Sequence, residues 1–125
     1  EFAAADVTVT DALDGLAMDL APAYGSVPGL GRYRRIVHLT DTGLTVHDET
    51  DYPGTVALTL MSVEKPAVNG DTVAFGALAA AAVTGADKIV TEAVPITDPR
   101  LRQAWPDTLY RTRIYFTRQL SLVMQ

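Results

Sequence analysis

Residues 32–48 read RYRRIVHLTDTGLTVHD, and this stretch decides the fold class of the chain. Apolar residues alternate with polar ones on both sides of the segment Asp41-Thr42-Gly43. A period of two is typical of a strand with one buried face, and a segment of small polar residues and glycine suits the turn between two such strands. We therefore predict a long β-hairpin over residues 32–50.

The turn of this hairpin sets which residues face each other, and two registers are possible. A two-residue turn at Thr42-Gly43 pairs Leu39 with Val46. The same turn places His38 opposite His47. A three-residue turn would shift the pairing by one residue and set Leu39 against a polar partner. Because register follows the hydrophobic pattern where one face is buried, we favour the two-residue turn.

The rest of the chain repeats the strand pattern. Further strands are predicted at residues 5–10, 16–21, 55–62, 72–76, 77–84, 89–94, 109–117 and 120–125, with a loop at 63–71 and a turn at 84–88. In the strand at 55–62 the alternation predicts that Val56, Leu58 and Leu60 point inward. The alanine-rich segment 77–84 has high helix propensity, but it is short, uncapped and set among strands, so we assign it to a strand. Asp98-Pro99 suits the start of one short helical turn over 99–105. About nine or ten short strands predict an all-β fold, an antiparallel β-sandwich forming a single domain over residues 1–125.

Length and composition limit the classes of protein to which the chain can belong. It has 125 residues, 48% of them apolar, which is enough for one domain with a real core. The net charge of −5 argues against general nucleic-acid binding, which needs a cationic surface. The richest apolar run, residues 75–83, is too short to span a bilayer, so no membrane partner is expected. There is no cysteine, and the start lacks both a methionine and a signal-peptide pattern, so we expect a piece of a larger protein.

The two histidines are the first candidates for a functional site. In the favoured register His38 and His47 face each other, with Glu49 or Asp51 nearby as a third ligand. A cross-strand histidine pair with a carboxylate can hold a divalent metal ion. The alternative is an incidental pair on an exposed sheet face, and we expect no metal.

Arginines and tyrosines form the second group of candidates. Arg111 and Arg113 are two residues apart and therefore share one strand face, where guanidinium groups can bind carboxylates or sulfates. Tyr110 and Arg35 complete the predicted ligand-binding set. The alternative is that these arginines pair with acidic residues of the same domain. Trp105 is predicted to anchor the helical turn in the core and not to stack on a sugar.

Motifs of self-contained active sites are missing from the sequence. It has no Gly-rich phosphate loop, no GxSxG elbow, no HExxH pair and no Cys–His set. The carboxylates are scattered, with no spacing that forces two of them together. We therefore assign no catalytic residue and no cofactor.

The order of segments resembles the C-terminal β-sandwich region of heparinase II/III-like proteins, a family of polysaccharide lyases and their relatives. The residues that carry the resemblance are Met18-Asp19-Leu20-Ala21, Ala23-Tyr24, Arg35-x-Val37-x-Leu39, Val46-x-Asp48, Leu58-x-Leu60-Met61, Pro66, Asp98-Pro99-Arg100-Leu101, Trp105 and Leu109-Tyr110-Arg111-x-Arg113. The opening Phe2-Ala3-Ala4-Ala5-Asp6-Val7 is similar to the strand that begins this region in relatives.

The resemblance implies an accessory domain. In such lyases the catalytic Tyr and His lie on a preceding helical toroid and on a His-rich strand motif upstream of this region, and neither is present here. The resemblance implies a non-catalytic domain that supports the toroid domain of the same chain and contributes to an acidic-polysaccharide (glycosaminoglycan-like) site. The parent protein would be a polysaccharide lyase or a relative of one. Two alternatives remain, namely a free-standing carbohydrate-binding module and a small metal site at His38 and His47.

Overall fold

A computed structural model of the chain describes residues 3–125. Phe2, the first residue of the opening segment that resembles the family, lies outside the described residues. The nine strands are β1 (Ala5–Val9), β2 (Gly15–Asp19), β3 (Tyr33–Thr40), β4 (Gly43–Thr50), β5 (Val56–Ser62), β6 (Pro66–Asn69), β7 (Thr72–Phe75), β8 (Ala79–Pro95) and β9 (Thr108–Met124). Two short 3-10 turns, Ala21–Tyr24 and Leu101–Gln103, complete the described elements. The prediction of an all-β, sandwich-like fold with about nine strands and a short helical turn is confirmed.

All nine strands belong to one antiparallel sheet that folds back on itself. Its larger layer has the order β1-β2-β3-β4-β9-β8-β7-β6. The second half of β8 and the first half of β9 leave that layer, and β5 pairs with this part of β9 to give a smaller layer, β5-β9-β8. The long strands β8 and β9 therefore hold the two layers together.

The corner between the layers lies at Gly85 on β8. Pairing changes there from Thr84 opposite Ser121 to Ala86 opposite Phe116, so several residues of β9 bulge against one of β8. Gly85 has a φ of +90°, and a Cβ atom at this position would lie 2.9 Å from the backbone oxygen of Gln119. Only glycine meets both conditions without strain, and this residue allows β8 to turn from one layer into the other.

The core fills the space between the layers. The smaller layer contributes Leu58, Ile114 and Phe116, which are almost fully buried. The larger layer contributes Tyr33, Val73, Phe75, Ala81, Val83, Leu120 and Leu122. The rings of Tyr33 and Phe116 meet edge to face, with their centroids 6.4 Å apart. The inward positions predicted for β5, namely Val56, Leu58 and Leu60, all belong to this core or pack against it.

The predicted hairpin register is wrong by two residues. Thr40 pairs with Gly43 across an Asp41-Thr42 turn, and Leu39 pairs with Leu44 rather than with Val46. A shift of two residues leaves every side chain on the same face, so the hydrophobic pattern does not distinguish the two registers. The observed register sets Arg35 opposite Asp48, and these two side chains form an ion pair with a 2.6 Å contact. In the predicted register Asp48 would lie opposite the apolar Val37, so this pairing of charges favours the observed register.

The predicted boundaries of the two long strands are also wrong, and one hairpin was not predicted. The predicted turn at 84–88 is the corner inside β8, and the strands predicted at 109–117 and 120–125 are one strand, β9, which passes through Arg118 with a φ of +70°. The loop predicted at 63–71 contains β6, which pairs with β7 around Gly70. Gly70 has a φ of +59°, as two-residue hairpin turns require.

Two further expectations concern single segments. The alanine-rich segment is a strand, as predicted, and within it Ala81 is fully buried opposite Met124. Trp105 is 48% exposed, so the prediction that it anchors the core is wrong. The 3-10 turn that precedes it has no buried residue, because it lies in the long connection from β8 to β9 beyond the end of the smaller layer. Within residues 3–125, no helix is long and apolar enough to cross a membrane.

Candidate functional site

The outer face of the smaller layer carries a cluster of charged side chains, which we call the cationic face. Along β9, Arg111, Arg113 and Tyr115 alternate with the buried Thr112, Ile114 and Phe116, so these three point away from the core. On the neighbouring strand β8, Glu92 pairs with Arg111 and Lys88 pairs with Tyr115. The cationic face therefore consists of Lys88, Glu92, Arg111, Arg113 and Tyr115.

Glu92 holds both arginines of this face in place. Its Oε1 atom accepts a hydrogen bond from Nε of Arg111 at 2.8 Å and lies 3.3 Å from Nη2 of Arg113. The hydrogen bond from Arg111 and the charges of both arginines hold the pKa of Glu92 below its usual range. Each of the three side chains keeps roughly a third or more of its surface exposed. Two guanidinium groups share one carboxylate, so one positive charge remains. Lys88 adds a second, which is offset by Asp87, whose carboxylate accepts a hydrogen bond from Thr117 next to this face.

The aromatic ring of Tyr115 lies beside Arg113 on this face. Nη1 of Arg113 donates a hydrogen bond to the phenolic oxygen of Tyr115 at 3.4 Å. This hydrogen bond and the charge of Glu92 raise the pKa of Arg113. The face thus offers guanidinium and ammonium donors beside a partly exposed ring on the surface of an otherwise acidic chain.

The other two members of the predicted ligand-binding set lie elsewhere. Tyr110 is two residues before the buried Thr112 and therefore lies on the same side of β9 as Thr112, opposite to Arg111 and Arg113. Arg35 lies on the inner side of the larger layer. Of the four predicted residues, the structure therefore brings only Arg111 and Arg113 together. The alternative that the arginines pair with acidic residues of the same domain holds for Arg35, Arg111 and Arg113.

Arg35 belongs to a buried polar cluster with Tyr33 and Asp48. Asp48 is fully buried and accepts two hydrogen bonds from Arg35, from Nε at 2.8 Å and from Nη2 at 2.6 Å. The phenolic group of Tyr33 donates a third, at 2.6 Å. The guanidinium group of Arg35 also lies 5.9 Å from the centre of the Tyr33 ring. Three hydrogen bonds and one counter-charge satisfy a carboxylate that would otherwise be costly to bury.

Because of this cluster, we expect the free energy of unfolding to fall at alkaline pH. Burial and the hydrogen bond to Asp48 raise the pKa of Tyr33 above its ordinary value of 10.0. Above about pH 10 the unfolded chain releases this proton while the folded chain keeps it, so the free energy of unfolding falls with rising pH by at most about 1.4 kcal/mol per pH unit. We expect the stability gap between the native chain and Tyr33→Phe to narrow over that range, as measured by urea unfolding at about pH 9 and about pH 11. A gap that stays constant would contradict this assignment.

The histidines do not form the predicted pair. His38 lies opposite Thr45, and His47 lies opposite Ile36. Nδ1 of His47 makes a 2.8 Å hydrogen bond with Oγ of Ser121, whereas Nε2 of His38 lies 3.9 Å from a carboxylate oxygen of Asp14. Across residues 3–125 no group of three histidine, cysteine or acidic side chains is arranged to hold a metal ion. The metal site proposed as an alternative required His38 opposite His47, and the observed register does not place them so.

Two cavities open between the layers, and Arg35 lies at both. The larger is a groove of about 550 Å³ between β5 and the inner face of β3, β4 and β9. The smaller, of about 260 Å³, lies between β5 and the segment around the first 3-10 turn. Apolar side chains line most of both. Arg35 and Glu64 are the charged residues in the wall of the groove.

Sequence reasoning missed Lys88, Glu92 and Tyr115 as parts of the cationic face. For Tyr115 the signal was present, because it continues the two-residue spacing of Arg111 and Arg113. For Lys88 and Glu92 there was no local signal, because their position depends on the register between β8 and β9 beyond the corner at Gly85.

No model of a known protein family and no curated protein matches this chain. The chemistry of the cationic face itself therefore indicates what it can bind. Guanidinium groups form paired hydrogen bonds with sulfate and carboxylate oxygens, and an adjacent aromatic ring can pack on the apolar face of a sugar. An anionic polymer with such groups along its length fits a row of exposed charged side chains on a sheet face better than a small ligand does.

Proposed function

We propose that this chain is a non-catalytic β-sandwich domain of a heparinase II/III-like protein, which supports a helical toroid domain and contributes to an acidic-polysaccharide site. The observation that carries the binding role is the cationic face, where Arg111 and Arg113 share Glu92 and leave an excess of positive charge. In a chain with a net charge of −5, such a local excess needs a reason, and an anionic ligand supplies one.

The link to a toroid domain has a direct test in the parent gene. The residues encoded before Glu1 are expected to form a long helical domain followed by a His-rich strand motif. A secretion signal joined directly to Glu1 would contradict the accessory role.

Binding by the cationic face is testable with heparin as the probe. We expect the double variant Arg111→Ala/Arg113→Ala to bind heparin roughly tenfold more weakly than the native chain, because charge-assisted contacts to sulfate groups are lost. Affinity is measured by isothermal titration calorimetry at two salt concentrations, and the native affinity should fall at the higher one. Neutral dextran serves as the ligand control and should not bind.

A matched variant separates a specific face from general charge. Arg32→Ala/Arg34→Ala removes the same charge, and both of these arginines are exposed. Arg34 follows the buried Tyr33 on β3, so it points to the outer side of the larger layer, away from the cationic face. We expect this control to keep nearly native affinity. Equal losses in the two double variants would show that net charge alone governs binding and would refute the role of the face.

Tyr115 favours a second candidate function, a free-standing carbohydrate-binding module. An aromatic ring beside cationic side chains offers a glycan both ring contacts and charge-assisted hydrogen bonds, and these contacts would not need a second domain. If the isolated chain binds heparin with micromolar affinity and Tyr115→Ala weakens it as strongly as loss of the arginines does, the module is favoured. If the isolated chain binds only weakly, the accessory role is favoured, because a toroid domain would then supply the rest of the site.

A further inference from the structure

The groove between the layers has the composition of a ligand site. Its volume of about 550 Å³ lies within the range of small-molecule pockets, which combine mostly apolar walls with a few placed polar groups. Leu58 and Leu60 of β5 form one wall, and residues of β4 and β9 form the floor. The groove lies on the inner side of the layers, away from the cationic face, so a ligand bound there would be independent of the proposed function.

The register gives the groove a direction. Along β4, Asp48, Val46 and Leu44 lie opposite Leu120, Leu122 and Met124 of β9. Arg35 is cross-strand from Asp48 and therefore lies at one end. Leu44 and Met124 lie at the other end, about 13 Å away at the usual rise along a strand. Leu78, on the turn that enters β8, borders that end and is 83% exposed.

Arg35 supplies a hydrogen-bond donor to one end of an apolar channel. Asp48 is fully buried behind it and takes Nε and Nη2, which leaves Nη1 outside the ion pair. The Arg35 side chain is 28% exposed, whereas Asp48 is 0% exposed. Arg35 lines both cavities and Asp48 lines neither, so the guanidinium group is the part of the ion pair that faces the cavities. The other charged residue of the wall, Glu64, lies against Gly76 near the β7–β8 turn and so marks the Leu78 end.

We propose that the groove binds a single-chain amphiphile with a carboxylate head, with the head on Arg35 and the alkyl chain running toward Leu78. The guanidinium group selects an anionic acceptor, and the apolar walls select a chain without polar substituents. Sugars and peptides fit less well, because their many hydroxyl or amide groups would be left without partners against these walls.

The probe is laurate, compared with dodecyltrimethylammonium, which has an equally long chain and a cationic head. Both are titrated below their micelle concentrations into methyl-labelled protein and followed by NMR. We expect laurate to saturate one site and to shift methyl signals of Leu44, Val46 and Leu122, with at least tenfold tighter binding than the cationic amphiphile. Equal affinities, no saturable binding, or shifts confined to other regions would overturn the proposal.

A pair of exposed leucines provides variants that should fold. Leu78→Asp places a carboxylate at the chain end of the groove and should weaken laurate binding roughly tenfold. Leu13→Asp is the matched control, because Leu13 is 78% exposed on the β1–β2 turn and does not line the groove, so its affinity should stay native. Equal weakening in both variants would refute the site.

The head group is tested by replacing the whole polar cluster. The triple variant Tyr33→Phe/Arg35→Met/Asp48→Leu removes the donor without leaving a buried charge. In this variant laurate should lose its preference over dodecyltrimethylammonium. A retained preference would refute the role of Arg35. A dimer that forms through β5 and competes with laurate would assign the groove to a second copy of the chain instead.

Discussion

Asp48→Ala is expected to lower the free energy of unfolding by about 3 kcal/mol. The carboxylate is fully buried and accepts three hydrogen bonds, two from Arg35 and one from Tyr33. Removing one partner of a buried ion pair leaves the other charge without compensation, which typically costs about 3–5 kcal/mol. The lower end applies here, because Arg35 is partly exposed and can be hydrated again.

The measurement is urea unfolding, with the shift of the midpoint taken at constant slope. Glu49→Ala is the matched control, because Glu49 is the next residue on β4, is exposed, and should change stability by no more than about 0.5 kcal/mol. The triple apolar variant of the cluster should recover much of the loss, since replacing a buried ionic group as a whole is often neutral. A loss below about 1 kcal/mol for Asp48→Ala would contradict the placement of Asp48 as a buried carboxylate that compensates Arg35.

Phe116→Ala should cost about 4 kcal/mol, a substantial part of the stability of a domain of this size. The side chain is fully buried, packs edge to face on Tyr33, and lies on β9 just before the corner. It therefore joins the core residues of the smaller layer to those of the larger one. Truncation removes apolar contacts and leaves a cavity that strands on both sides hold open.

The control for this variant is Val123→Ala, on the same strand. Val123 is 42% exposed, so its truncation should cost about 0.5 kcal/mol or less. Both variants are measured by urea unfolding with two probes, far-UV circular dichroism and the fluorescence of Trp105. If the two variants lose similar amounts of stability, the two layers do not share the core described here.

The fold class could be predicted from local sequence because most strands alternate apolar and polar residues. Strand β5 is an example, since the inward positions of Val56, Leu58 and Leu60 followed from a period of two. The alanine-rich start of β8 was assigned correctly for a different reason. Its neighbours are strands, and tertiary pairing with β9 outweighs the helix propensity of alanine.

The register of the central hairpin could not be predicted from hydrophobicity, because slipping by two residues preserves both faces. The pair Arg35 and Asp48 carried the missing information, and a search for opposite charges across the hairpin would have found it. The corner at Gly85 could not be distinguished from an ordinary turn, because glycine is common both in turns and at bends within a strand. Whether the chain reverses or only bends there depends on its partner strand β9.

The site was predicted in part. The spacing of Arg111 and Arg113 gives a shared face in any strand, and the structure keeps them together. Tyr110 was grouped with them because it is adjacent in sequence, yet adjacency in a strand means opposite faces. Arg35 was expected in one ligand-binding set with Arg111, Arg113 and Tyr110. Its burial depends on Asp48, which approaches only in the observed register.

The most direct test of the binding role is an NMR titration of the native chain with a sulfated heparin oligosaccharide. We predict that backbone shift changes cluster on the cationic face, at Lys88, Glu92, Arg111, Arg113 and Tyr115, and that added salt reverses them. Saturable binding whose shift changes lie on the larger layer, or the absence of any binding at low salt, would contradict the proposed role.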